Sequence, residues 1–115
     1  MVKKWDIVFI SLNPVEGSEQ GGKRPALVIS NDGVNKNLPI ITCIPFSSVK
    51  DNELVYPTEV YFEKEELGLN KDSVLMLHQI RTISKNRIIG KISEVKKDEY
   101  KRRIEENLKK YFELD

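Results

Sequence analysis

Cysteine and histidine are almost missing from this chain: its 115 residues hold one of each, Cys43 and His78. A single cysteine excludes an internal disulfide, and with no second cysteine or histidine at ligand spacing the chain shows no zinc-type ligand set. No apolar run approaches a membrane span, and the start, MVKKWD, lacks the apolar stretch of a secretion signal. A cytoplasmic protein with no membrane association is expected. Charge of one sign is missing too: 19 Lys and Arg face 18 Asp and Glu, for a net +1. Without a bulk basic field, a polyanion has to be gripped by a local patch. Repeats and low-complexity segments are absent, and GSEQGGK has neither the spacing of a P-loop nor a helix after it.

What is present suits one soluble domain spanning 1–115, with 39% hydrophobic and 32% charged residues. One core fits in that length and two do not, so a deep cleft calls for a second copy of the chain. The charges are uneven: residues 51–72 carry Asp51, Glu53, Glu59, Glu63, Glu65, Glu66 and Asp72 against Lys64 and Lys71. The remainder is basic.

Short β-branched and aromatic runs predict strands at Asp6–Leu12, Ala26–Ser30, Ile40–Phe46, Glu59–Phe62, Asp72–Leu77, Gln79–Ile83 and Ile88–Ile92. Pro25 fits at the start of the second of these, because it has no N–H for a ladder. Asn31-Asp32-Gly33 is turn chemistry, and VNKNL after it has room for one helical turn or a bend. EKEELG predicts a brief helix ended by Gly68. From Lys97 to Phe112, Tyr100, Ile104, Leu108 and Tyr111 or Phe112 recur at helical spacing, which predicts one amphipathic C-terminal helix. The sum is a mostly β fold with a C-terminal α-helix, a small, strongly bent sheet or barrel. Cys43, inside an apolar run, is expected to be a buried thiol, and Trp5 a core or interface anchor.

The stretch GSEQGGKRP, 17–25, is too rich in glycine for helix or strand and delivers Glu19, Lys23 and Arg24 to the edge of a buried strand. Pro45-Phe46-Ser47-Ser48 puts two hydroxyls where another strand emerges. Such groups suffice for metal-free chemistry on a phosphodiester whose nucleophile is the 2′-hydroxyl of RNA. Arg24 offers a planar fork for phosphate, Glu19 a proton acceptor or a partner that fixes Arg24, and Ser47 or Ser48 a hydrogen bond to a nonbridging oxygen. The plainer reading makes Glu19 and Arg24 a structural ion pair, Ser47 a turn cap and His78 a hydrogen-bonded strand residue.

The strings DIV (6–8), NPV (13–15), GSEQGGKRP (17–25), LVISND (27–32), PFSS (45–48), GLNKDSV (68–74) and QIRTI (79–83) resemble the MazF/PemK family of toxin endoribonucleases. The similarity runs in order from about Lys4 to Ile92. It implies a small SH3-like or CcdB-like β-barrel, homodimeric, that cuts single-stranded mRNA at a preferred sequence without metal or cofactor. The products would be a 2′,3′-cyclic phosphate and a 5′-hydroxyl. By motif, Arg24 stands at the family's catalytic arginine, Ser47 at its threonine or serine, and Glu19 at a glutamate needed for activity. Asn13, Gln20, Lys23, Ser48, His78 and Gln79 fall where RNA contacts are expected, and a cognate antitoxin with an acidic, partly disordered segment is the implied partner. Three positions depart from the pattern: Trp5 stands where glycine is usual, Ser47 where threonine is commoner, and His78 where an acid is common. A CcdB-like gyrase poison, or a silent relative that binds RNA or antitoxin, would share the fold without cutting RNA.

Overall fold

The computed structural model describes residues 1–50 and 54–115; Asp51 and Glu53 of the acidic segment lie outside them. The strands are β1 (Asp6–Ser11), β2 (Lys23–Val28), β3 (Ile40–Ser48), β4 (Glu59–Phe62), β5 (Ser73–Met76), β6 (Arg81–Ser84) and β7 (Ile88–Glu94). The helices are α1 (Asp32–Asn37), α2 (Lys64–Leu67) and α3 (Asp98–Phe112). All strand pairs are antiparallel, in the order β4-β5-β3-β2-β1-β7, with β6 also on β3.

The nine-residue β3 organises the sheet because it serves two partners along one edge. Ile40 to Cys43 pair with β6, and Phe46 to Ser48 pair with β5. Its other edge takes β2, from Cys43 to Pro45. The single core expected from the length is divided in two by strand alternation, with one cluster on each face of the sheet. Ile7, Leu27, Ile44 and Phe46 meet Phe62, Leu75, Tyr100 and Ile104 on one face, while Val8, Ile10, Ala26, Val28, Ile41, Cys43 and Ile83 pack on the other. The expected barrel is left open: β4 and β7, at the two ends of the strand order, do not pair with each other. Tyr100 and Ile104 of α3 and Leu67 of α2 instead help to cover the first core.

Local chemistry sets the ends of the helices. Asn31 caps α1 by accepting from Val34 N (3.0 Å), and Glu63 and Glu66 form a reciprocal capping box on α2. Gly68 ends α2 with φ 68°, a left-handed turn that suits glycine. In α3 the apolar stripe is buried only at Tyr100 and Ile104; Tyr111 and Phe112 are exposed and stack edge-on against each other. Trp5 takes φ 77°, a conformation suited to glycine. Its ring packs on the first core, and the ammonium groups of Lys4 and Lys101 lie 5.3 and 5.7 Å from its centre.

Candidate active site

The site begins with a missing donor. Ile29 N–H donates to Thr42 O (2.9 Å), so alternation makes Ile29, Leu27 and residue 25 the positions whose amides face β3. Residue 25 is proline, and the carbonyl opposite it in this register, Phe46 O, finds no amide there. The Arg24 guanidinium fills the gap, with Nη1 donating to Phe46 O at 3.0 Å and Nε to Gly21 O at 2.9 Å. Arg24 is thus a strand residue, the second of β2, whereas the sequence alone predicts a strand beginning at Ala26.

Continuing the register Val28 to Cys43, Leu27 to Ile44 and Ala26 to Pro45 by two steps sets Arg24 opposite Ser47. Alternation gives both the face of the second core. Ser47 lies inside β3, paired with Val74 on the β5 side, so it caps no turn. Its hydroxyl has no hydrogen-bond partner among the described residues, and neither has Arg24 Nη2. Burial lowers the Arg24 pKa below the ordinary arginine value, and no carboxylate pairs with it among the described residues.

The loop between β1 and β2 is held at its peptide groups. Gly22 N donates to Asn13 Oδ1 (3.0 Å), Gln20 N to Gln79 Oε1 (3.0 Å), and Gln79 Nε2 to Ser18 O (3.4 Å). Arg87 Nη1 ties the far end through Asn13 O (2.7 Å) and Ser11 O (3.2 Å). A Cβ at Gly21 would stand 2.8 Å from Val15 Cγ1, so a side chain there would require Val15 to shift. Glu19 does not pair with Arg24: its Oε1 accepts from Glu16 N (2.9 Å), and the residue is exposed.

Two concavities flank this centre. Lys23 and Ser48 line a groove of about 480 Å3 with Arg24, Phe9, Pro25 and Lys71. Glu19, His78 and Gln79 line another of about 390 Å3 with Ser18, Ile80 and Arg81. Asn13 and Gln20 lie on the tied loop between them in sequence, and Ser47 lines neither. His78 sits in a single 3-10 turn, Leu77–Gln79, and is exposed, which corrects the strand expected there. The clamp by Gln79, 59 residues from its loop partner, escaped sequence reading because nothing local marks it. Among the described residues no group of three or more His, Cys, Asp or Glu is arranged to hold a metal ion. No helix among the described residues is long and apolar enough to cross a membrane.

Comparison with known proteins matches residues 3–112 to the family described as PemK-like, MazF-like toxin of type II toxin-antitoxin system. The endoribonuclease MazF of Staphylococcus saprophyticus is 42% identical over 93 residues, which cover 81% of this chain and 77% of that protein. In fold, the chain is similar to MazF from Deinococcus radiodurans, with a TM-score of 0.81 at 22% identity over 98% of this chain and 97% of that one. A MazE-MazF structure from the same organism gives 0.75 at 21% identity, over 99% and 98%. An endoribonuclease from a mycobacterial species, solved with its cognate antitoxin, gives 0.75 at 16% identity, over 99% and 95%.

Proposed function

The chain belongs to the PemK-like, MazF-like toxins of type II toxin-antitoxin systems and is an endoribonuclease of the MazF type; from that premise we propose how and on what it acts. The substrate is single-stranded mRNA, cut at a preferred sequence in the cytoplasm without a metal ion. The observation that carries this reading is Arg24, braced by two backbone carbonyls opposite the free hydroxyl of Ser47, with Nη2 left for a ligand.

The substrate's own 2′-oxygen attacks the adjacent phosphorus, and the bond from phosphorus to the 5′-oxygen breaks. Arg24 donates to the phosphoryl oxygens as negative charge builds on them, which for one well-placed donor is worth on the order of 10²–10³ in rate. A guanidinium is a donor and not a base, so its role is electrostatic. Ser47 Oγ holds a nonbridging oxygen. Glu19 accepts the 2′-proton, and solvent returns a proton to the leaving 5′-oxygen. The ends are a 2′,3′-cyclic phosphate and a 5′-hydroxyl, and no other reactant is consumed.

Asn13, Gln20, Lys23, Ser48, His78 and Gln79 are the RNA contacts of this reading, and two copies of the chain form the working unit. A cognate antitoxin is the regulator, its acidic segment lying over the RNA groove. Solved relatives in complex with antitoxins support that part. The test is to incubate purified protein with a long unstructured RNA in excess EDTA and map the new ends. Cleavage at recurrent sequences with cyclic-phosphate ends is expected; intact RNA across varied sequences would overturn the reading.

A further inference from the structure

Arg81 opens β6 and stands opposite Cys43 of β3, with Ile83, two residues on, in the second core. Alternation therefore gives Arg81 the same face of the sheet as Arg24 and Ser47. It lies across β3 from β2, four positions back along β3 from Ser47, about 13 Å by strand rise. Its Nη1 is buried and has no hydrogen-bond partner among the described residues, and Arg81 forms no ion pair among them.

Burying a cationic donor without a partner is unfavourable, and proteins normally pair such groups. The neighbours in the concavity do not supply the pairing. Glu19 gives an oxygen to Glu16 N, and Gln79 spends both ends of its amide on the loop. Cys43, opposite, is buried with its pKa raised to about 12, so it carries no charge to offer. No described residue neutralises this guanidinium, and the half-buried Arg81 lines the concavity beside Glu19, His78 and Gln79, where its accessible edge offers a planar fork of donors to the oxygens of a phosphodiester.

We propose that Arg81 binds a backbone phosphate of the RNA strand across β3 from the cut, so that the strand is held at two points on one face, at the cut by Arg24 and beyond it by Arg81. This rests on the endoribonuclease reading above. Arg81 serves affinity and register, not bond breaking.

The experiment starts with wild-type protein and a long transcript, from which the cut sequence is mapped. A short RNA of that sequence, with a 2′-deoxynucleotide supplying the sugar at the cut, then serves as an uncleavable probe. Its affinity is measured at several salt concentrations for wild type, Arg81→Gln and Arg81→Lys, with thermal midpoints as a control on folding. Arg81→Gln is expected to bind about 10-fold more weakly, with the logarithmic salt slope shallower by about 0.7, the value of one single-strand phosphate contact. Arg81→Lys keeps the slope, and turnover at saturating RNA stays within about 2-fold for both. If Arg81→Gln does not fold, the comparison of Arg81→Lys with Arg81→Met decides in its place. Wild-type affinity and slope in the charge-removing variant overturn the inference while leaving cleavage standing, as does a lost turnover with affinity intact. A wild-type protein that neither binds nor cuts RNA overturns both.

Discussion

Arg24 and Ser47 face each other across β2 and β3, two register steps past Ala26 and Pro45, the last pair that the two strands form. The gap between them exists because the intervening position is Pro25. A guanidinium anchored by two carbonyls beside a hydroxyl with nothing to bond is an arrangement waiting for an anion. Replacing Arg24 by alanine is expected to lower cleavage at least about 10²-fold. Lysine, which lacks the fork, does not restore it. Initial rates on a mapped RNA and gel filtration check that activity is lost while assembly is kept.

Pro25→Ala tests the origin of that gap. An alanine supplies the N–H that faces Phe46 O and competes with Arg24 Nη1 for it. The ladder gains a bond worth about 1 kcal/mol, so the thermal midpoint holds or rises. Cleavage is expected to fall about 10-fold, because the guanidinium loses one of its two anchors. A variant that cuts as fast as wild type would show that the Phe46 O contact does not position Arg24.

Gln79→Leu removes the clamp on Gln20 N and Ser18 O at similar volume. Amide exchange at Gln20 is expected to speed up, KM to rise several-fold, and the cut sequence to become less strict. Turnover at saturation changes less, since Arg24 keeps its bonds to Gly21 O and Phe46 O. Exchange measured by NMR alongside kinetics separates the two effects.

Trp5→Gly sets a backbone gain against a side-chain loss. Glycine relaxes the φ of 77°, which is worth on the order of 1 kcal/mol. It also removes an indole packed on the first core and flanked by Lys4 and Lys101, worth about 3 kcal/mol or more. Net destabilisation is expected by denaturant titration; equal or greater stability would show that the ring contributes little.

Cys43 gives a pH signature. Burial raises its pKa from 9.0 to about 12, so above pH 9 the unfolded chain releases a proton that the folded chain keeps. Its contribution to stability is complete below pH 9 and declines between pH 9 and about 12, by up to about 1.4 kcal/mol per pH unit. Cys43→Ala is expected to show a shallower decline over that window. At pH 8 the native thiol resists aromatic disulfide reagents and reacts only as the protein unfolds.

How much of this was readable beforehand follows from the range of each interaction. The run DIVFISL, the string EKEELG ended by Gly68 and the spacing of Tyr100 and Ile104 are local signals, and the strand and helices they predict are present. GSEQGGKRP was legible as a loop by its glycines, but Arg24 belongs to the strand, because a proline without an N–H still occupies a β position. The opposition of Arg24 to Ser47 is a register, fixed by pairing at Val28 and Cys43, and no local pattern carries it. For the same reason the plain reading of Glu19 as a partner of Arg24 failed: nearness along the chain put them together, while the fold turned Glu19 onto Glu16 N. Arg81 was visible only as part of a motif, since its unpaired nitrogen depends on burial.

The clamps on the β1–β2 loop close on main-chain atoms: Ser18 O, Gln20 N, Gly21 O and Gly22 N. A grip on the peptide is indifferent to the side chain that the residue carries, except at the glycines. The side chains of Ser18 and Gln20, on either side of Glu19, are therefore interchangeable parts on a fixed frame. A lineage of such enzymes can change the text it cuts by editing two codons, and leave the blade where it is.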